Sequence, residues 1–214
     1  MALILITSGP TRQYLDPVRY LTNASSGRMG RALTEAALAD GHQVVVVSGP
    51  VEVEYPAEAK VRWVDTTDEM LAACREEFPR CDGLIGAAAP CDYRPVRVEQ
   101  HKIAKTGEPL VLHLIETPDV VATLGGEKRP AQWVVGFALE TEDPRFRALV
   151  KLTKKHCDLM VLNGPDAMNS LDNRVEILAP SGEVLATLSG TKEEVSRGIF
   201  QVLRQQLLHR PQRD

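Results

Sequence analysis

Two short apolar runs with the same kind of ending constrain this chain most. Residues 2–7 (ALILIT) stop at Ser8-Gly9-Pro10, and residues 43–48 (QVVVVS) stop at Gly49-Pro50. Both are short and apolar on both faces, the pattern of a central parallel strand covered on two sides. Between them, residues 27–40 place Met29, Leu33, Ala36 and Ala37 at helical spacing. Ser25 or Ser26 is available to cap that helix and Gly41 to end it. Strand, helix and strand in this order make a βαβ unit, whose crossover is right-handed.

The same grammar continues. Residues 61–64 (VRWV), 83–89 (GLIGAAA), 133–138 (WVVGFA) and 159–162 (LMVL) predict strands. Thr66 with Glu69 forms a capping box for a helix running to about Phe78, and residues 151–156 close another helix. From Arg174 the pattern changes. Residues 175–178 (VEIL) and 184–188 (VLATL) flank Pro180-Ser181-Gly182, a hairpin signal, and Thr191 with Glu194 caps a last helix. The expected fold is α/β: a doubly wound, Rossmann-like, mostly parallel sheet with a C-terminal antiparallel hairpin, as a single domain over residues 1–208. Residues 92–117, with Pro95, Lys102, Lys105, Gly107 and Pro109, fit neither period and predict a flap over the sheet's carboxyl edge. The polar residues 209–214 are expected to fray.

Composition narrows the function classes. The 214 residues are 43% hydrophobic, enough for one sizeable core. A net charge of −4 argues against a general nucleic-acid binder. No run approaches the ~20 apolar residues of a membrane span, and the first apolar run lacks a cationic lead, so a cytoplasmic protein is expected. Cys74, Cys81, Cys91 and Cys157 form no C-x-x-C pair and are expected to be reduced thiols.

Ligands of open α/β sheets gather at the carboxyl ends of strands. The candidate edges here are Gly9 with its neighbours, Gly86-Ala87-Ala88 running toward Asp92, Gly136 to Glu140, and Asn163-Gly164-Pro165. Ser25-Ser26-Gly27 opens a helix, so it is either an anion site on the helix dipole or an ordinary packing feature. Lys102, Lys105, Lys151, Lys154 and Lys155 could clamp a polyanion; Lys151 and Lys155, four apart, share a helix face. Asp82, Asp92, Asp119 and Asp158 lie near strand ends. Trp63 and Trp133 are expected in packing positions, and the five histidines show no metal or dyad spacing. Asn23 precedes the glycine-rich start, where an amide could donate to a carbonyl oxygen or simply serve a turn.

Together these residues resemble one family. Residues 6–23 (ITSGPTRQYLDPVRYLTN) followed by 25–30 (SSGRMG) look like the opening signature of bacterial phosphopantothenate–cysteine ligases. The likeness recurs at 87–95 (AAAPCDYRP), 102–105 (KIAK), 118–121 (PDVV), 135–141 (VGFALET), 151–158 and 169–173 (NSLDN), covering nearly the whole chain in order. Two positions depart from the pattern: Pro90-Cys91 replaces a small aliphatic pair, and Ala104 replaces a lysine of the flap.

The resemblance implies a ligase that joins 4′-phosphopantothenate to L-cysteine through an acyl-cytidylate made from CTP, with Mg²⁺ carried by the triphosphate rather than by dedicated protein ligands. It implies nucleotide-binding positions at Gly86, Ala87, Ala88, Asp92, Lys102, Pro118, Asp119, Val120, Val121, Phe137, Lys151 and Lys155. Asn23 would hold the acyl-nucleotidylate carbonyl with Arg19 assisting, Lys102 would reach the phosphates, and Gly9, Ser25, Ser26 and Gly27 would take the substrate phosphate. It further implies a homodimer, a decarboxylase supplied by a separate chain, and no nucleic-acid or membrane partner. Two other readings compete. A short-chain NAD(P)-dependent reductase would carry Tyr-x-x-x-Lys, and no tyrosine here has a lysine four residues on. A non-catalytic nucleotide-binding subunit is compatible with the fold alone.

Overall fold

The computed structural model describes residues 1–164 and 172–208. Pro165 and most of the 169–173 string lie outside them, as do residues 209–214. In chain order the elements are β1 (Leu3–Ser8), β2 (Arg12–Tyr14), β3 (Tyr20–Thr22), α1 (Arg28–Ala39), β4 (Gln43–Ser48), β5 (Lys60–Trp63), α2 (Thr67–Glu77), β6 (Gly83–Gly86), β7 (Tyr93–Pro95), β8 (Leu114–Glu116), α3 (Val120–Glu127), β9 (Trp133–Leu139), α4 (Pro144–Lys154), β10 (Leu159–Asn163), β11 (Asp172–Leu178), β12 (Val184–Thr191) and α5 (Lys192–Leu203).

Eight strands form one sheet in the order β12-β11-β10-β9-β6-β1-β4-β5. The strands from β10 to β5 pair in parallel, and β11 and β12 return antiparallel as the expected hairpin. Alternation sends Ile4, Ile6, Val44 and Val46 to a core shared with α1 and α5. It sends Leu5, Val45, Leu84 and Val134 to a second core under α2, α3 and α4. Both faces are therefore covered, which is why the strands read as continuous apolar runs. The chain runs outward from β1 through β4 to β5, then returns to β6 on the other side of β1. The switch point lies between the carboxyl ends of β1 and β6, where a doubly wound sheet opens a crevice.

Local chemistry explains the helix ends. Thr66 accepts from Glu69 N while the Glu69 side chain accepts from Thr66 N, and Thr191 and Glu194 repeat the box at α5. The expected serine cap on α1 is absent. Gly27 occupies the cap at φ 75°, a left-handed conformation that turns the chain without help from a serine side chain. The strand expected over 83–89 ends at Gly86. Trp133 is buried, whereas Trp63, on the edge strand β5, is 57% exposed and rests against Tyr55. All four cysteines are buried free thiols; burial pushes Cys74 and Cys157 up to about 12 and Cys81 to about 11. Among the described residues no helix is long and apolar enough to cross a membrane.

Candidate active site

The crevice is laced at the switch point. Ala87 N donates to Thr7 O at 3.2 Å, Ala88 N to Thr7 Oγ1 at 3.3 Å and Ala89 N to Gly9 O at 2.9 Å. Gly9 at φ 72° and Gly27 both face Val51, whose Cγ1 would lie 2.7 Å from a β-carbon on either. A β-carbon on Gly30 would sit 2.0 Å from Ser8 Oγ. The glycines thus seat α1 directly on the end of β1, the packing alternative left open by the sequence. No side chain caps α1. Lys192, at the start of α5, has its pKa lowered by burial and by the charge of Arg28, which places two cations close together near the α1 start. Ser25 is half-buried and Ser26 exposed.

Part of the set implied for the nucleotide lies on the other face of the same edge, around α3 and α4. Gly86 pairs with Gly136 across β6 and β9. A β-carbon on Gly86 would meet Val121 Cγ2 at 2.5 Å, so glycine is what lets the first turn of α3 approach the strand end. Asp119 caps α3, accepting from Ala122 N at 2.9 Å, and its other oxygen pairs with Lys155 Nζ at 2.9 Å. Lys151 Nζ lies 2.5 Å from Glu140 Oε1, an ion pair rather than an aligned hydrogen bond, since that buried oxygen has no hydrogen-bond partner. Lys151 and Lys155 are therefore each held by a carboxylate, not poised against one another. Val120 is buried in the core, so only its backbone can face a ligand. Phe137 is half-buried on the α1 side and Pro118 half-buried at the foot of α3. Asp92 is exposed, its carbonyl accepting from Thr117 N at 2.8 Å.

Asp82 and Asp158 belong elsewhere. They precede β6 and β10 at the amino edge, where Asp82 accepts from Leu3 N and Asp158 from Val134 N, the latter also pairing with Lys128. They staple strand starts. Lys105 and Lys154 are exposed.

The flap is an arm. β7 and β8 pair antiparallel, and the excursion between them is largely exposed. With Leu15 it encloses a cleft of about 800 Å³ lined by Lys102, His101, His113, Leu110 and Leu112 among others. The arm lies against a hairpin not foreseen from the sequence, β2–β3. Asn23, just past β3, donates through Nδ2 to Pro90 O at 2.8 Å and Ala89 O at 3.3 Å. Its amide here grips the root of the arm. Arg19 pairs with Asp16 and donates from Nη2 to Ile103 O at 2.5 Å. Asn23 and the Lys102 segment thus share one side of the molecule through the hairpin. The signals that mark this hairpin are Asp16-Pro17, a turn dipeptide, and the aromatic pair Tyr14 and Tyr20, whose rings meet edge-on at 5.6 Å.

The arm's two roots meet in a buried hydroxyl network. Cys91 N donates to Thr11 Oγ1 at 2.8 Å, and Cys91 O accepts from Thr67 Oγ1 at 3.2 Å and Thr117 Oγ1 at 2.7 Å. Thr11 and Thr67 hydroxyls meet at 2.7 Å, and Gln13 Nε2 reaches Thr67 Oγ1 at 3.0 Å. With Thr67 donating to Cys91, its oxygen accepts from Thr11 and Gln13, and every group is satisfied.

Comparison with known proteins relates the chain to one family. A family model described as the DNA/pantothenate metabolism flavoprotein C-terminal domain matches residues 2–207. The coenzyme A biosynthesis bifunctional protein CoaBC of Vibrio vulnificus (strain YJ016) is 40% identical over 186 residues, 84% of this chain and 46% of that protein. Its counterpart in Escherichia coli (strain K12) is 38% identical over 192 residues, 86% of this chain and 47% of that protein. The chain therefore spans about half the length of these curated relatives. The crystal structure of the C-terminal domain of a coenzyme A biosynthesis bifunctional protein CoaBC superposes with a TM-score of 0.81 at 34% identity, covering 98% of this chain and 97% of that one.

Proposed function

Because this chain belongs to the DNA/pantothenate metabolism flavoprotein C-terminal domain family, we propose that it is a phosphopantothenate–cysteine ligase of coenzyme A biosynthesis, acting in the cytoplasm with CTP–Mg²⁺ as co-substrate. The observation that carries this reading is the grouping of Lys151, Lys155, the start of α3 and the Gly86–Gly136 pair at one carboxyl edge, beside an arm that bears Lys102.

A free carboxylate is a poor electrophile, so the acid is first activated. One carboxylate oxygen of 4′-phosphopantothenate attacks the α-phosphorus of CTP. The bond from the α-phosphorus to its bridging oxygen breaks and pyrophosphate leaves. The cysteine amine then attacks the acyl carbon of the mixed anhydride, CMP departs with the bond electrons, and the nitrogen loses a proton. Neither step needs a covalent enzyme intermediate. Catalysis is charge neutralisation and alignment, which lysines and backbone N–H groups supply.

In this scheme Lys102 neutralises the transferring phosphates. Lys151 and Lys155 would exchange their carboxylate partners for phosphate oxygens of the triphosphate, which would carry its own Mg²⁺. Gly86, Ala87 and Ala88 let the nucleotide approach the backbone, with Asp92, Pro118, Val120, Val121 and Phe137 around it. Asn23 turns its amide from Pro90 O to the acyl carbonyl, and Arg19 assists from the hairpin. Gly9, Ser25, Ser26 and Gly27 receive the substrate phosphate at the α1 start. The arm carries Val96, Val98, Leu110 and Val111 more than half exposed, an apolar surface suited to a second copy of the chain, so the proposal includes a homodimer. The decarboxylation that follows in the pathway belongs to a different active site.

The test is an initial-rate assay of pyrophosphate release with each of the four ribonucleoside triphosphates, with and without phosphopantothenate and Mg²⁺. The proposal expects release that needs all three components and is fastest with CTP. Oxidation of NADPH in place of pyrophosphate release would favour the reductase reading instead.

A further inference from the structure

We propose that Asp16 is a positioning residue of this site: its carboxylate docks the arm on the β2–β3 hairpin and so fixes where Lys102 stands. The docking rests on geometry alone; its catalytic consequence rests on the ligase reading above.

Asp16 is fully buried in the turn between β2 and β3. Its Oδ1 accepts from Val18 N at 2.8 Å and Arg19 N at 2.9 Å, both within the turn. Its Oδ2 accepts from Arg19 Nε at 2.9 Å and from Ile103 N, on the arm, at 3.1 Å. The guanidinium, held in place by that same oxygen, donates to Ile103 O. Both backbone groups of Ile103 are thus taken by one ion pair, whose carboxylate is buried and whose guanidinium is half-buried. A second tie, Glu99 N to Leu15 O at 2.9 Å, holds the arm four residues earlier. Lys102 lies between these two anchors, whereas residues 104–112 beyond them are all exposed. The position of the Lys102 backbone is set by Asp16 more than by the arm's own ladder, which closes only at its base.

The two carboxylate oxygens do different jobs, which makes the idea separable from folding. Asp16→Asn keeps one acceptor oxygen. Placed on the turn, that oxygen preserves the bonds to Val18 and Arg19, and the new NH₂ then faces the donors of Arg19 Nε and Ile103 N. An amide donor cannot serve two donors, so the variant keeps the turn and loses the arm. The complementary variant, Arg19→Lys, retains the charge but cannot reach both Asp16 and Ile103 O with one planar fork.

The experiment follows hydrogen exchange of the Ile103 amide and trypsin cleavage after Lys102, with cleavage after the exposed Lys105 as internal reference. In Asp16→Asn, exchange and cleavage at the docked segment should accelerate on the order of tenfold or more, the cost of a lost charge-assisted bond, while cleavage after Lys105 changes little. Under the ligase reading, kcat for pyrophosphate release should fall by a similar factor with the KM for cysteine unchanged. These readouts separate the two claims. Arm release in a protein that never produces pyrophosphate would overturn the ligase reading and leave the docking standing. Unchanged protection of Ile103 in both Asp16→Asn and Arg19→Lys would overturn the docking, whatever the activity. Should Asp16→Asn fail to fold, Arg19→Lys alone carries the same exchange and cleavage test.

Discussion

Thr67 offers a sharp test of how the site is assembled, because two opposed views of one buried residue predict opposite rankings. Its side chain is fully buried at the start of α2. If burial alone mattered, Thr67→Val would be neutral or stabilising, and Thr67→Ser would lose a methyl. The hydroxyl, however, accepts from Thr11 and Gln13 and donates to Cys91 O. Valine removes an acceptor for two buried donors. Among the described residues Gln13 Nε2 makes its hydrogen bond to this oxygen, and an orphaned buried donor costs roughly 1–3 kcal/mol. Thr11 still accepts from Cys91 N but loses the target of its own hydrogen, which adds about 1 kcal/mol. Cys91 O keeps Thr117 and adds nothing. The sum is a loss of about 2–4 kcal/mol for Thr67→Val, against about 1 kcal/mol for the single methyl removed in Thr67→Ser. Urea unfolding of wild type and both variants, at unchanged m-value, measures the ranking. The double variant Thr11→Val with Thr67→Val should lose less than the sum of the singles. A valine variant as stable as the serine variant would refute the assignment of the hydroxyl network.

Further outcomes follow from the structure and from the proposed chemistry. In Gly30→Ala the new β-carbon would lie 2.4 Å from Ser8 Cβ, so α1 must shift; overpacking of about 1–3 kcal/mol outweighs a helix-propensity gain of about 1 kcal/mol, and the urea midpoint falls. Gly126→Ala, in α3 with its nearest neighbour at 3.9 Å, should instead raise it slightly. Burial pushes the carboxyls of Asp16 and Glu77 up, but it is outweighed at Asp16 by hydrogen bonds from Ile103, Val18 and Arg19, and at Glu77 by Arg80, Lys60 and Arg62, so both titrate at about 2. These folded values lie below the ordinary 3.8 and 4.5, so the stabilisation is complete above about pH 4.5 and is lost as pH falls toward and through 2. A thermal-midpoint profile for wild type and Glu77→Gln checks this: the wild-type curve should fall more steeply in that window. Finally, Lys102→Gln should slow formation of the acyl-nucleotidylate by roughly 10²-fold, while Asn23→Ala, correctly folded by circular dichroism, should impair the intermediate's reaction with cysteine. Single-turnover quench separates the two steps.

The parallel core was legible because its strands are buried on both faces and so read as unbroken apolar runs, Ile4 to Ile6 and Val44 to Val47 most plainly. The capping boxes at Thr66 and Thr191 were legible because their chemistry is local, spanning three residues. The start of α1 was misread because a serine beside a helix looks like a cap, whereas the chain there turns at Gly27 with φ 75°. The β2–β3 hairpin was missed for a different reason. Its strands are three residues each, polar and aromatic rather than alternating, and they are held by Thr67 and by the arm, far away in sequence. Distance also hid the partners of the lysines: Glu140 is eleven residues from Lys151 and Asp119 thirty-six from Lys155, and only folding brings them together. Asp82 and Asp158 show the converse limit. Sequence places them next to strands but not at which edge, and both turned out to tie down strand beginnings.

The proposed ligase activity requires this sheet edge to turn a carboxylic acid into a mixed anhydride with a nucleotide. Its most direct test withholds cysteine. Purified protein mixed with phosphopantothenate, CTP and Mg²⁺ in single turnover, then quenched and analysed by mass spectrometry, should yield one equivalent of pyrophosphate and a phosphopantothenoyl-cytidylate that disappears when cysteine is added. Absence of any acyl-nucleotide and of pyrophosphate with all four triphosphates would contradict the account.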